Sequence, residues 1–298
     1  MTLTRTQFDI LSFLERQDAG VKLTQNEFAS SIGHSAETIG KTISHLKKER
    51  LIENNNLTDA GKNALEPYRA KRAVFIAAGF GSRLVPITFN TPKPLVRVNG
   101  VRIIDTLLDA VCAAGIGEII IVRGHLSEQF DQLKYKYPNI QFLENPIYNE
   151  SNNISSAMCA RFLLQNAYVL ESDLLLKNPA LISKYQYASN YLGVPVELTD
   201  DWCFETRNKI ITSLKVGGTN CHHTFGISFW NQTDGAKLAE HIKQVYLMPG
   251  GKERFWDQVA LEYFKKDYAV EVRECTFDDI IEIDTLNELR NLDENYKL

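Results

Sequence analysis

Between Phe75 and Leu95 the chain reads FIAAGFGSRLVPITFNTPKPL, and the residue types in that stretch suit the holding of an anion. Glycines accept positive φ and leave the backbone open to close approach, so the loop of Gly79, Gly81 and Ser82 can turn successive N–H groups toward phosphate oxygens. Arg83 adds a planar fork of donors, and Lys93, between Pro92 and Pro94, adds a compact charge. The spacing excludes two other phosphate loops, because no G-K-[ST] follows the glycines and no G-x-G-x-x-G is present. Taken alone, G-F-G-S-R fits an inert turn with solvated cations as well as it fits a triphosphate site.

Carboxylates and aromatic residues further on supply other chemistry. Asp173 ends the apolar run YVLESD, and Asp284 follows a similar run in IIEIDTL. Mg²⁺ takes oxygen ligands, usually one or two carboxylates beside phosphates and water, and an aspartate at a strand end is well placed to give one. For Asp284 a second reading stays open, as N-cap of a terminal helix. Trp202 follows Asp200 and Asp201, Trp230 ends an apolar run, and Trp256 precedes Asp257. Aromatic faces beside acids bind quaternary ammonium by cation–π contact; three tryptophans of the core are the alternative.

The ordered strings A-A-G-x-G-S-R-L, P-x-T and P-K-P-L resemble the signature of nucleotidyltransferases that join a nucleoside triphosphate to a phosphorylated small molecule. With N-N-I-S-S, D-D-W, G-I-S-F-W, F-W-D and E-I-D-T, the part from Ala73 onward, about three-quarters of the chain, resembles the bacterial CTP:phosphocholine cytidylyltransferase family. The resemblance implies that Ala78, Gly79, Gly81 and Ser82 cradle CTP, with Asn152 and Ser155 near the base. It implies Arg83 and Lys93 as catalytic cations, Asp173 and Asp284 as Mg²⁺ ligands, and Trp202, Trp256 and Asp257, with Asp201 beside them, around choline. The expected products are CDP-choline and pyrophosphate. The family pattern has Asp where this chain has Glu171. Another phosphorylated amine such as 2-aminoethylphosphonate, or a sugar 1-phosphate, is the rival acceptor, and a DNA-binding regulator that only senses nucleotide or choline is the rival of another class.

These residues need a scaffold, and the hydrophobic periodicity supplies one. Phe8, Leu11 and Leu14 recur at helical spacing over Thr4 to Gln17; Thr24 and Glu27 form a capping box for a short second helix ending at Gly33; Ser35 caps a third, with Ile39, Ile43 and Leu46 on one face. An Asn54–Asn56 turn and a last helix capped by Thr58 complete what resembles a winged helix-turn-helix domain over residues 1–68. That resemblance implies a third helix in the DNA major groove, with Thr38, Lys41, Thr42 and His45, flanked by Ser35 and Glu37, as contacts. Basic and acidic residues in this stretch roughly balance, so a docking or homodimerisation module is the alternative.

Residues 69–72 read as a linker after Pro67, and residues 73–298 as a second domain. There strands and helices alternate: strand 73–77, helix 103–115, strand 118–122, helix 127–137, strand 140–143, helix 154–164 and a strand ending at Asp173. This pattern predicts a doubly wound, mostly parallel α/β sheet with ligands at the carboxyl ends of its strands. Strands near 192–196, 202–206, 210–216 and 225–230 predict an antiparallel extension. Helices 234–246 and 255–264, a strand 270–273 and a helix from Thr285 follow.

A chain of 298 residues with 44% hydrophobic content can fill two cores, and a net charge of −4 argues against nucleic-acid binding through global charge. Five cysteines without C-x-x-C spacing fit reduced thiols, and Cys221-His222-His223 lacks the second ligand pair of a zinc site. No apolar run approaches the ~20 residues that span a bilayer, and the N-terminus is polar, so a soluble cytoplasmic protein is expected.

Overall fold

The computed structural model describes residues 2–16, 33–54 and 56–297. The chain forms two compact units, Met1–Arg69 and Ala70–Leu298. In the first, α1 (Arg5–Arg16) buries Phe8, Ile10 and Leu11. Helix α2 (Ala36–Lys48) starts at Ser35, whose hydroxyl accepts from Thr38 N–H, and buries Ile39 and Leu46. The strands β1 (Ile52–Glu53) and β2 (Asn56–Leu57) form a small antiparallel wing, and Thr58 caps α3 (Asp59–Leu65). The expected short helix from Thr24, and Asn55 of the wing turn, lie outside the described residues.

The second unit is built on a seven-stranded sheet in the order β10-β12-β11-β8-β3-β6-β7. Its members are β3 (Arg72–Ala77), β6 (Glu118–Arg123), β7 (Ile140–Glu144), β8 (Ala167–Glu171), β10 (Asn190–Arg207), β11 (Ile210–Trp230) and β12 (Glu271–Glu274). Strands β8, β3, β6 and β7 are parallel, whereas β11 runs antiparallel to β8. The chain travels outward from β3 through β6 and β7, then returns to β8 on the other flank. That reversal makes the carboxyl ends of β3 and β8 the switch point at which doubly wound sheets bind ligands.

Alternation along β3 divides the core. Ala73, Phe75 and Ala77 pack with Ile104, Leu107, Leu108 and Val111 of α4 (Ile103–Ala113). Val74 and Ile76 pack with α5 (Ile154–Ala160) and with Leu238 and Ile242 of α6 (Gln232–Leu247).

Four details differ from the sequence reading. The four strands expected between 192 and 230 are two long ones, β10 and β11, whose pairing shifts register at several points, including between Thr199 and Trp202. Bulges of this kind interrupt the alternation that marks a strand. Residues Ser127–Tyr135 form 3₁₀ turns rather than an α-helix. The expected helix 154–164 is α-helical to Ala160 and 3₁₀ over Arg161–Leu163. Residues Val259–Tyr263 form a single π-helical turn where a helix 255–264 was expected.

Short strands complete the unit: β4 (Arg97–Val98) with β5 (Val101–Arg102), and β9 (Leu174–Leu176) with β13 (Ile280–Glu282). The second pair carries functional weight, since Glu282 lies opposite Leu174 and Ile283 N–H donates to Asp173 C=O at 3.3 Å. Two acidic stretches about a hundred residues apart in the chain thereby meet. Thr285, not Asp284, caps α7 (Leu286–Leu292), in a reciprocal capping box with Glu288, which leaves the Asp284 carboxylate free for other contacts. Among the described residues no helix is long and apolar enough to cross a membrane.

Candidate active site

A cavity of about 570 Å³ opens at the carboxyl ends of β3 and β8. One wall is the loop after β3. Gly81 takes a φ of 69°, and a Cβ there would stand 3.0 Å from the Lys93 Cβ, so glycine lets the lysine stem lie against the loop. Thr88 Oγ1 donates to Gly81 C=O at 2.9 Å and fixes the turn. Gly79, Gly81, Ser82 and Arg83 line the cavity; Ala78 does not, being buried with its carbonyl accepting from His125 N–H at 3.0 Å.

On the floor, cations and carboxylates are already paired. Lys93, buried in a 3₁₀ turn between its prolines, places Nζ 2.7 Å from Asp173 Oδ2 and 3.0 Å from Asp284 Oδ1. Burial by itself would depress the Lys93 ammonium, but the two aspartates outweigh it and hold its pKa above 10.5. Arg83 grips Asp284 with two hydrogen bonds, 2.8 and 2.7 Å, in the bidentate geometry that a guanidinium favours.

Two acids that the sequence reading did not use as ligands join this group. Glu171, Asp173 and Glu282 present one oxygen each, all within 4.8 Å of one another. Burial, reinforced by Asp173 and other neighbouring acids, pushes Glu171 up to about 8 and Glu282 up to about 9. Asp173 Oδ1 is buried and has no hydrogen-bond partner among the described residues. Six carboxylates line the cavity, Glu171, Asp173, Asp201, Asp257, Glu282 and Asp284, against the two cations Arg83 and Lys93. An all-oxygen, acid-rich donor set with an orphaned carboxylate oxygen fits a hard divalent cation such as Mg²⁺ and none of the thiolate-seeking metals. The longer side chain of Glu171 has room because position 226 is glycine, where a Cβ would collide with its carboxylate.

The opposite wall is aromatic. Trp202 and Phe255 meet edge to face at 5.5 Å, and Tyr191 faces the cavity beside Asp257 and Asp201. Asp257 Oδ1 is buried with no hydrogen-bond partner among the described residues, and burial raises the carboxyl to about 6. Trp256 does not line the cavity. It is 1% exposed and packs between Tyr191 and Trp230 at 6.4 and 5.9 Å, so it supports the wall from behind. Trp230 is a core residue as well.

Asn152 and Asn153 also line the cavity, whereas Ser155 is buried off it, accepting from Asn145 Nδ2 and donating to Asn152 C=O, each at 2.9 Å. Cys221 lies buried against Cys203, and His222 reaches Glu274 at 3.2 Å; among the described residues no metal-ligating cluster forms there. In the first unit Thr38 and Lys41 are exposed on α2, Lys41 pairs with Glu37, Thr42 Oγ1 donates to Thr38 C=O, and His45 is within 3.3 Å of Gln7.

Residues 72–192 match the nucleotidyl transferase family and residues 1–56 the MarR family. The chain is 32% identical over 228 residues to the 2-aminoethylphosphonate cytidylyltransferase of Lancefieldella rimae, which covers 75% of this chain and 92% of that protein. It is 33% identical over 233 residues to the choline-phosphate cytidylyltransferase of Streptococcus pneumoniae, covering 76% and 98%. The solved structure of the CTP:phosphocholine cytidylyltransferase of Streptococcus pneumoniae superposes with a TM-score of 0.70 at 31% identity, over 76% of this chain and 99% of that one.

Proposed function

The chain belongs to the nucleotidyl transferase family, as a cytidylyltransferase, and on that premise we propose that it joins CTP to a phosphorylated amine, phosphocholine, releasing pyrophosphate and CDP-choline. The observation that carries this reading is the aromatic and acidic wall of Trp202, Phe255, Tyr191, Asp201 and Asp257, which shares one cavity with the glycine loop and its cations. Aromatic faces attract a quaternary ammonium, and each contributes ~0.5–2 kcal/mol depending on its exposure. A sugar acceptor would call instead for amides and hydroxyls.

The reaction is attack of an acceptor phosphate oxygen on the α-phosphorus of CTP, with pyrophosphate leaving in line. Both reactants are anions, so catalysis consists of aligning them and offsetting charge. Backbone N–H groups at Gly79, Gly81 and Ser82 hold the triphosphate, and Asn152 lies toward the base. Arg83 and Lys93 leave their carboxylates for phosphate oxygens, Lys93 on the side of the α-phosphorus. Asp173 and Asp284, with Glu171 and Glu282 beside them, would hold Mg²⁺, which would screen the charge of the phosphates and of these carboxylates.

One observation favours a second acceptor. Asp257 Oδ1 lacks a hydrogen-bond donor, which a quaternary ammonium cannot supply and a primary ammonium can; 2-aminoethylphosphonate carries one. Pyrophosphate release from CTP with phosphocholine, 2-aminoethylphosphonate and a hexose 1-phosphate as separate acceptors tests both readings. Turnover with phosphocholine supports the first and turnover confined to the primary amine the second, while turnover confined to the sugar phosphate refutes both. For the first unit the match to the MarR family and the exposed Thr38 and Lys41 support a DNA-docking role.

A further inference from the structure

Asn153 stands at the N-cap of α5, yet its side chain makes no capping bond. Asparagine is among the best residues at that position because its oxygen can accept from the first free N–H groups of the helix. Here backbone carbonyls serve the helix start instead: Ser155 N–H donates to Asn152 C=O at 3.1 Å, and Ser156 N–H to Asn153 C=O at 3.0 Å. The Asn153 amide turns across the cavity. Its Oδ1 accepts from Trp256 N–H at 2.9 Å, and its Nδ2 donates to Glu171 Oε1 at 3.2 Å.

We propose that Asn153 is a positioning residue that holds the acceptor wall and the Glu171 carboxylate in register, an inference that rests on the cytidylyltransferase reading above. The loop that carries Phe255 and Asp257 hangs from residues 151–153. Ser151 Oγ and Asn152 N–H both donate to Lys252 C=O, at 2.8 and 2.7 Å, and Asn152 Nδ2 donates to Glu253 C=O at 3.2 Å. Those bonds hold the start of the loop. The bond from Trp256 to Asn153 holds it next to Asp257, and the same side chain continues to the acidic floor. Glu171 fills the space left by Gly226 with its Oε2 side, and the Asn153 bond holds the other oxygen, Oε1. A short primary amide is suited to this because one end accepts and the other donates without adding charge. Aspartate keeps the acceptor and loses the donor; alanine loses both. The glycine loop that receives the nucleotide makes none of these contacts.

The test is steady-state kinetics of the full-length chain and its Asn153→Ala and Asn153→Asp variants, with each substrate varied in turn. Acceptor binding is followed separately by tryptophan fluorescence, and folding by thermal unfolding. Loss of a hydrogen bond that positions the wall should raise the acceptor KM of Asn153→Ala about fivefold or more, and should raise the CTP KM by clearly less, through the loosened Glu171 alone. Asn153→Asp, which still accepts from Trp256 N–H but sets a second carboxyl group against Glu171, should recover only part of the acceptor affinity lost in Asn153→Ala. Equal increases in both KM values, an unchanged acceptor KM in a folded Asn153→Ala protein, or no recovery in Asn153→Asp would overturn the proposal. If the parent itself turns over neither amine, the functional reading has failed and takes this inference with it.

Discussion

Lys93 Nζ rests 2.7 Å from Asp173 Oδ2, so the cation proposed for phosphate and the carboxylate proposed for a metal neutralise each other. Lys93→Ala should lower turnover by about 10²–10³, the usual effect of losing one preorganised charge at a reacting centre. It should also destabilise the second unit by ~3 kcal/mol, because two crowded carboxylates lose their counter-charge. Added Mg²⁺ should recover part of that loss in thermal unfolding, since it replaces the missing positive charge. With the Lys93 pKa held above 10.5 in the folded state, the contribution of the ion pair is complete below that pH and is lost as pH climbs through the folded-state value. The parent should therefore weaken in strong alkali more steeply than Lys93→Ala.

Asp257 gives a prediction in the acidic range. Burial raises it to about 6 from 3.8, against backbone hydrogen bonds from Gln258 and its own N–H that pull the other way. A cationic acceptor needs the carboxylate, so the acceptor KM should rise as pH falls through about 6, and Asp257→Asn should flatten that profile. For stability the sign is opposite to that of a salt-bridged aspartate. The folded state holds this proton more tightly than the unfolded chain, so the contribution is full below pH 3.8 and lost as pH rises to about 6. At neutral pH Asp257→Asn should unfold at a slightly higher temperature than the parent, gaining stability as it loses acceptor affinity.

The N-terminal unit can be tested on the full chain. Lys41 is exposed on α2 and pairs with Glu37 four residues earlier, a surface pair that costs little to break. If α2 docks in a major groove, Lys41→Glu should weaken DNA binding in a mobility-shift titration and reduce the salt dependence by about one counter-ion. Cytidylyl transfer should be unchanged by the same substitution. An unchanged shift, or no shift by the parent, would leave the unit to protein docking.

Much of the site is legible in the sequence because its parts are local. The glycine loop, Lys93 between prolines, and Asp173 at a strand end are each recognisable within a few residues. Glu282 is not, because its place depends on the antiparallel pairing of β13 with β9 across about a hundred residues, and two three-residue strands carry no periodic signal. Asn153 escapes for a related reason: its type and position announce a helix cap, and only the tertiary contacts turn it elsewhere. In the aromatic wall the residue that lines the cavity lies one position from the one expected. In F-W-D the larger ring draws the functional reading, yet the chain turns Phe255 and Asp257 to the cavity and Trp256 inward. The sheet survives in outline because β3, β6 and β8 are continuous apolar runs, while the bulged β10 and β11 break into fragments when only alternation is read.

The one-residue shift in the wall can be measured by treating the two tryptophans alike. Trp202 touches the cavity, meets Phe255 edge to face and is only partly buried against the core, so Trp202→Ala should cost less stability than Trp256→Ala and raise the acceptor KM by about 2- to 30-fold, the range spanned by one cation–π contact. The loss should be greater for phosphocholine than for 2-aminoethylphosphonate, because a primary ammonium draws more on Asp257. Trp256→Ala removes a buried ring packed against Tyr191 and Trp230, and should cost about 3–5 kcal/mol of stability whichever acceptor is present. Trp256→Phe separates the readings further. It keeps an aromatic face, so if Trp256 contacts the acceptor directly the KM should move less than in Trp256→Ala while still differing between the quaternary and the primary ammonium. If Trp256 only supports Tyr191, the KM for both amines should stay near the parent value and only the unfolding temperature should fall, the second outcome being the one that a 1% exposed side chain predicts.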